Sequence, residues 1–240
     1  MPGEPHNLSN RFIFPMLGSR LVLFLLFQAL VALLLNSWEK SEKYWLLTAT
    51  LTNLATIALL YYLFWREGEN YFNIFRINRT ELKRDIKIFL GIILISGPVV
   101  FAPGYFLSKM IWNDPVIPTE MMFGPIENWL VYILLFAFPV TIVVAELATY
   151  FIYIMPRLKD RFGSKWIAIL LPVLFLSLQH CTLPFIPDLR FIIYRALVFL
   201  PLALLLGITI YYRPTLFPYL AFLHGLMDMG AAFMFLLELN

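Results

Sequence analysis

Seven stretches of this chain are each long and apolar enough to cross a bilayer, at roughly residues 20–37, 44–65, 86–108, 128–155, 166–185, 191–211 and 216–238. A hydrocarbon layer about 30 Å thick requires about 20 mostly apolar helical residues. Composition closes off the soluble alternative. Of 240 residues, 61% are hydrophobic and 14% charged, more apolar surface than a soluble domain of this length could hide. The expected fold is therefore all-α, a polytopic transmembrane helix bundle of about seven spans. The segment 66–85, "REGENYFNIFRINRTELKRD", alternates aromatics with charges and reads as an interfacial helix on the membrane surface. Pro98, Pro139, Pro172 and Pro201 fall inside spans and predict kinked helices.

Lys and Arg give the orientation. Thirteen of them, including Arg11, Arg20, Arg213 and the clusters at 66–87 and 156–165, fall on one side of a seven-span topology. Lys40, Lys43, Lys109, Arg190 and Arg195 fall on the other. The positive-inside rule puts the first side in the cytoplasm, with the N-terminus there and the C-terminus outside. Cys181 is the one cysteine, so the chain has no disulfide framework and no CxxC metal knuckle. The basic residues lie beside spans rather than on one soluble face, which argues against nucleic acid as a partner. No cleavable signal peptide is expected, because the apolar run from Leu21 is long enough to stay in the membrane.

Four ionisable residues sit deep inside predicted spans: Glu146, His180, His224 and Asp228. The third histidine, His6, lies in the N-terminal tail. Charge in hydrocarbon is costly, so such residues usually face a polar interior and mark function. At 1.5 Å per residue they lie roughly 14, 21, 12 and 18 Å in from the ends of their helices, all near mid-membrane. One cluster can hold all four. His224 and Asp228 are i and i+4 and share a helix face, and Gly225, Gly230, Ala231 and Ala232 leave room for close helix approach. Imidazoles and carboxylates that converge suit a divalent metal such as zinc, or a carboxylate that deprotonates water for attack on a carbonyl. Spacing leaves open which carboxylate is ligand and which is base. The plainer readings are hydrogen-bonded packing histidines, a Glu146–Arg195 ion pair, and Asp228 holding His224 in one tautomer. Tyr150 and Gln179 read as helix–helix hydrogen-bond partners, Arg195 as a snorkelling residue and Cys181 as a small apolar filler.

The order of Glu146, then "LSLQH" ending at His180, then "HGLMD" from His224 to Asp228, resembles the motifs of the CPBP intramembrane metalloprotease family. That family includes the type II CAAX prenyl endopeptidases and the Abi proteins, and its motifs run EExxxR, FxxxH and HxxxN/D. In "AELATYFIYIMPRL" (145–158), Glu146 takes the place of the first Glu, Leu147 that of the second and Phe151 that of the Arg. In a second register Ala145 and Tyr150 stand at the Glu and Arg positions. Leu176 stands where the second motif has Phe; His224 and Asp228 match the third. The resemblance covers about residues 128–238, a catalytic helical core, and leaves 1–127 as an N-terminal transmembrane region. It implies a cytosol-facing cavity in which Glu146 activates water for peptide hydrolysis, while His180, His224 and Asp228 bind zinc or stabilise the oxyanion.

The leading expectation is therefore an intramembrane endopeptidase that acts on a membrane-associated protein or peptide, in contact with membrane lipids, in a prokaryotic plasma membrane. The altered first motif motivates the alternative, a catalytically inactive scaffold or immunity factor of the same fold. A proton-coupled carrier would also use intramembrane acids, but the sequence shows no repeated half of the kind many carriers have.

Overall fold

Residues 11–237 are described by a computed structural model, in which the apolar runs become seven helices long enough to span a membrane. They are α1 (Ile13–Leu35), α2 (Trp45–Arg66), α3 (Leu82–Trp112), α4 (Asn128–Phe162), α5 (Lys165–Thr182), α6 (Leu189–Tyr212) and α7 (Pro214–Leu236). No strand occurs among the described residues. His6 lies outside them.

The helix ends follow from local chemistry. Asn36 closes α1 in the left-handed region at φ 49°, its amide reaching back to Ala32 and Leu33. Ser37 then opens the short helix Trp38–Lys43 by accepting from the Lys40 amide. Gly163, at φ 64°, ends α4, and the Ser164 side chain at once caps α5. Asp188 caps α6 by accepting from the Arg190 and Phe191 amides. Side-chain oxygens thus satisfy the first free N–H groups of these helices, and the left-handed residues Asn36 and Gly163 finish α1 and α4.

The segment 66–85 differs from expectation. Between the end of α2 at Arg66 and the start of α3 at Leu82, its helical content is one 3₁₀ turn, Tyr71–Phe75. Gly68 takes a positive φ, and the Asn70 and Asn78 side chains bind the amides of Phe72 and Thr80, local bonds that compete with helix. Tyr71 is buried and donates its hydroxyl to the Val144 carbonyl of α4, so the segment reaches into the bundle.

Helix α4 is the axle. Helices α2 and α7 pack along it, α1 packs on α2, α6 packs on α5, and α3 stands at the edge against α6. Only 11% of the apolar window of α3 is buried, against 56% for α4. The apolar core divides into two clusters, one about Leu147, Phe151 and Phe217, the other about Trp45, Phe138 and Phe235. On five helices the polar residues fall at the seam between the clusters. Arg20 lies between Leu17 and Phe24, Asn53 between Ala49 and Leu60, and Glu146 between Ile142 and Leu147. His180 lies between Leu176 and Leu183, and His224 with Asp228 between Ala221 and Ala232. The fold thus gathers Glu146, Asp228 and the two histidines, with Arg20 and Asn53, into one layer.

Candidate functional site: a buried acid–imidazole cluster

Three local features bring the cluster together. After Glu146, α4 leaves α-helical geometry for a π-helical stretch, Ala148–Ile154, the kind of irregularity that is frequent at functional sites. Helix α5 tightens at its end into a 3₁₀ turn, Gln179–Thr182, which carries His180. Helix α7 approaches α4 so closely at Gly225 that a Cβ there would lie 2.2 Å from Val143 and 3.2 Å from the Pro139 carbonyl. Only glycine allows that approach, and the next residue back is His224.

The Glu146 carboxylate is fully buried. Its Oε1 lies 2.9 Å from His224 Nε2 and its Oε2 accepts from Arg20 Nη2 at 3.2 Å. A carboxylate can only accept, so Nε2 of His224 carries the proton in that bond. Asp228 Oδ2 lies 3.3 Å from the same nitrogen, a charge contact whose angle does not make a hydrogen bond. Two carboxylates therefore converge on one imidazole nitrogen. His224 Nδ1, Asp228 Oδ2 and Gln179 Nε2 are buried without a hydrogen-bond partner, atoms that a water or a ligand group would satisfy.

Arg20 holds the far side. It is fully buried near the N-terminal end of α1 and donates to Gln179 Oε1 at 2.7 Å, Asn53 Oδ1 at 2.9 Å, Thr56 Oγ1 at 3.3 Å and Glu146. Tyr150 donates to the same Gln179 oxygen at 3.2 Å, the interhelical role expected of that pair. Arg20 had been counted among the cytoplasmic charges; the structure makes it the counter-ion of the cluster. Its signal was present in the sequence. Arg20, Phe24 and Gln28 recur every four residues, which puts two polar side chains on one face of an otherwise apolar helix.

His180 joins from the side. Its Nδ1 lies 2.9 Å from the Leu176 carbonyl and its ring stacks on Phe199 with centroids 3.8 Å apart. Together with His224 and Asp228 it walls a cavity of 650 Å³ that runs past Phe101, Tyr194 and Phe199 to Pro115 and Thr119. Those last two belong to the segment after α3, on the Lys/Arg-poor side, whereas the family resemblance had implied a cavity facing the Lys/Arg-rich side. Glu146 lies behind His224 and does not line the cavity. Arg195 does not snorkel. It turns inward, binds the carbonyls of His180 and Leu183 and lies over the Phe199 ring, so it braces the turn that carries His180.

The donor types suit zinc, but their arrangement does not. Among the described residues no three His, Cys, Asp or Glu side chains are grouped as metal ligands would be. The Glu146 and His224 atoms that would bind an ion are already bonded to each other.

Fold and site together define a multi-pass helical membrane protein with a mid-membrane acid–imidazole cluster at the end of a cavity. Comparisons with family models, with curated proteins and with solved structures gave no match.

Proposed function

We propose that this chain is an intramembrane endopeptidase of a prokaryotic plasma membrane, one that hydrolyses a peptide bond of a membrane-associated protein or peptide. The observation that carries the proposal is the convergence of Glu146 and Asp228 on His224, with Asp228 and His180 on the wall of the same cavity. Buried acid–base groups beside a cavity are the usual form of a proton-transfer site.

The roles follow from access. Asp228 is the carboxylate that reaches the cavity, with its side chain 23% exposed, so it takes the proton from an attacking water. His180, whose Nδ1–H is committed to Leu176, keeps Nε2 to orient that water. The hydroxide adds to the carbonyl carbon, the C–N bond breaks, and Asp228 returns the proton to the leaving nitrogen. Glu146, paired with Arg20, holds His224 in place beside Asp228. The base role expected of Glu146 is thus reassigned to the acid within reach of water.

Asp228→Asn tests this in purified protein. General-base loss should cut cleavage of a membrane peptide by about 10²–10⁴-fold while leaving the melting temperature within a few degrees of the parent. Undiminished turnover would exclude the role. Zinc is tested separately by metal analysis. Stoichiometric zinc, lost together with activity in chelator, would replace this route with a metal-assisted one.

One observation favours the non-catalytic alternative: Glu146 is saturated by Arg20 and His224 and lies off the cavity wall. On that reading the cluster only locks α1, α4 and α7 together for a scaffold. Absence of any cleavage across a library of membrane peptides, with a fold that still depends on the ion pair, would be its signature.

A further inference from the structure

Beside the polar cavity lies a second one, of 680 Å³, between α3 and α7. The two share Val100, Phe101, Thr119, Met227 and Ala231 as walls, so the second adjoins the first on the flank of the bundle. Ile93, Leu226 and Met234 stand on its rim and are exposed on the bundle surface, so the opening faces lipid. It exists because α3 packs mainly on α6 and meets α7 near the latter's N-terminal end, at Thr215 and Tyr219. A Cβ built at Gly97 or Gly230, on either side of the cleft, would meet nothing within 4 Å.

We infer that this cleft is a binding site for an acyl chain of a bilayer phospholipid. Shape argues against a helix. A helix about 10–12 Å across occupies roughly 80–110 Å² in section, so 680 Å³ would take roughly 6–9 Å of it, less than two turns. Polarity argues against an extended peptide. The wall offers two hydroxyls, and that of Ser96 is already donated to Ile92 within its own helix, which leaves Thr119 to meet a whole peptide backbone. Backbone groups without partners are strongly disfavoured at this depth. A hydrocarbon chain has none to satisfy. Charge completes the fit: Lys109, about two turns beyond the cleft residue Phe101 and over the ring of Tyr105 in the adjoining polar cavity, stands at the end of α3, at the depth of a lipid phosphate. A chain seated here stands beside the cavity that holds His224 and Asp228.

The test uses the whole protein in nanodiscs containing phosphatidylglycerol with a diazirine near the end of one acyl chain. After irradiation, adducts should concentrate on cleft residues of α3 and α7. Gly97→Leu and Gly230→Leu grow into open space, and leucine is the better helix former, so both should keep the parent melting temperature. Each should cut cleft labelling by roughly tenfold or more, the scale on which a pocket rejects an added methylene or two. Gly91→Leu, on α3 outside the cleft and equally unobstructed, should leave labelling as it is. Labelling spread over lipid-facing residues such as Leu94 and Phe136 in proportion to exposure would overturn the site, as would cleft variants that label like the parent. So would competition by an apolar helical peptide that removes the cleft adducts. No turnover is read, so failure of the hydrolase proposal leaves this result unaffected.

Discussion

Arg20 and Glu146 bind each other 126 positions apart in sequence, both fully buried, and neither can be removed without stranding the other. Breaking a buried ion pair by deleting one partner costs about 3–5 kcal/mol, because the remaining charge is left without compensation. Arg20→Ala should therefore lower unfolding stability by about that amount, measured by thermal or denaturant unfolding in detergent. Arg20→Ala/Glu146→Gln should recover a large part of it, since both charges are gone; a double variant as unstable as the sum of the singles would show that the pair is not coupled. Glu146→Gln alone is for the same reason a poor test of catalysis, and Asp228→Asn a better one. The site was only half legible in the sequence. Acids and imidazoles inside apolar runs announce themselves, so Glu146, His180, His224 and Asp228 stand out against hydrocarbon. Arg20 does so only weakly: its spacing to Gln28 marks a polar face, but at the edge of a run an arginine reads equally well as a snorkelling flank residue. Which imidazole meets which acid depends on helix rotation, and a list of depths holds no rotation.

Gly225 acts at the scale of the element: it lets α7 touch α4 at the level of the cluster. Gly225→Val would force the helices apart against Val143 and the Pro139 backbone and separate His224 from Glu146. The expected result is loss of cleavage with about 1–3 kcal/mol of overpacking strain, read as a drop in melting temperature, whereas Gly230→Val should leave stability unchanged. Gly225 and Gly230 look alike in sequence, yet one is a contact and the other faces open space. The spans were legible because each is a continuous apolar run. The 66–85 segment misled because aromatics among charges mimic an amphipathic helix, while Gly68, Asn70 and Asn78 spend their local bonds on turns. The short helix Trp38–Lys43 carries a pH-dependent element. Burial, with Glu39 adding and Lys43 opposing, pushes the Glu42 carboxyl up to about 7. The folded state therefore holds a proton that the unfolded chain releases near 4.5, and stability falls as pH rises from about 4.5 through 7. Glu42→Gln should flatten that part of the stability curve and raise the melting temperature at pH 8; an unchanged slope would show that Glu42 does not titrate there.

Across the whole molecule, orientation decides which compartment the polar cavity meets. Seven spans put the loops after α2 and α4 on one face and the loop after α3 on the other. Arg20 and Arg195 are both buried in the bundle and no longer count as loop charges, yet the Lys/Arg excess still lies on the α2 and α4 loop side. The positive-inside rule predicts that this face is cytoplasmic, which would put the cavity mouth, at Pro115 and Thr119, toward the outside. A single-cysteine experiment tests this directly, because Cys181 is the only thiol to remove and its Sγ is tucked against the Ile192 carbonyl. In a Cys181→Ser background, Asn113→Cys and Asp160→Cys place exposed thiols on the two faces. A membrane-impermeant maleimide added to intact cells should label position 113 at once and position 160 only after permeabilisation. The reverse pattern would turn the molecule over. The cavity would then open to the cytosol, the proposed acyl site would belong to the inner leaflet, and a substrate of the proposed hydrolase would arrive from the cytoplasmic side, with no change in any contact within the bundle.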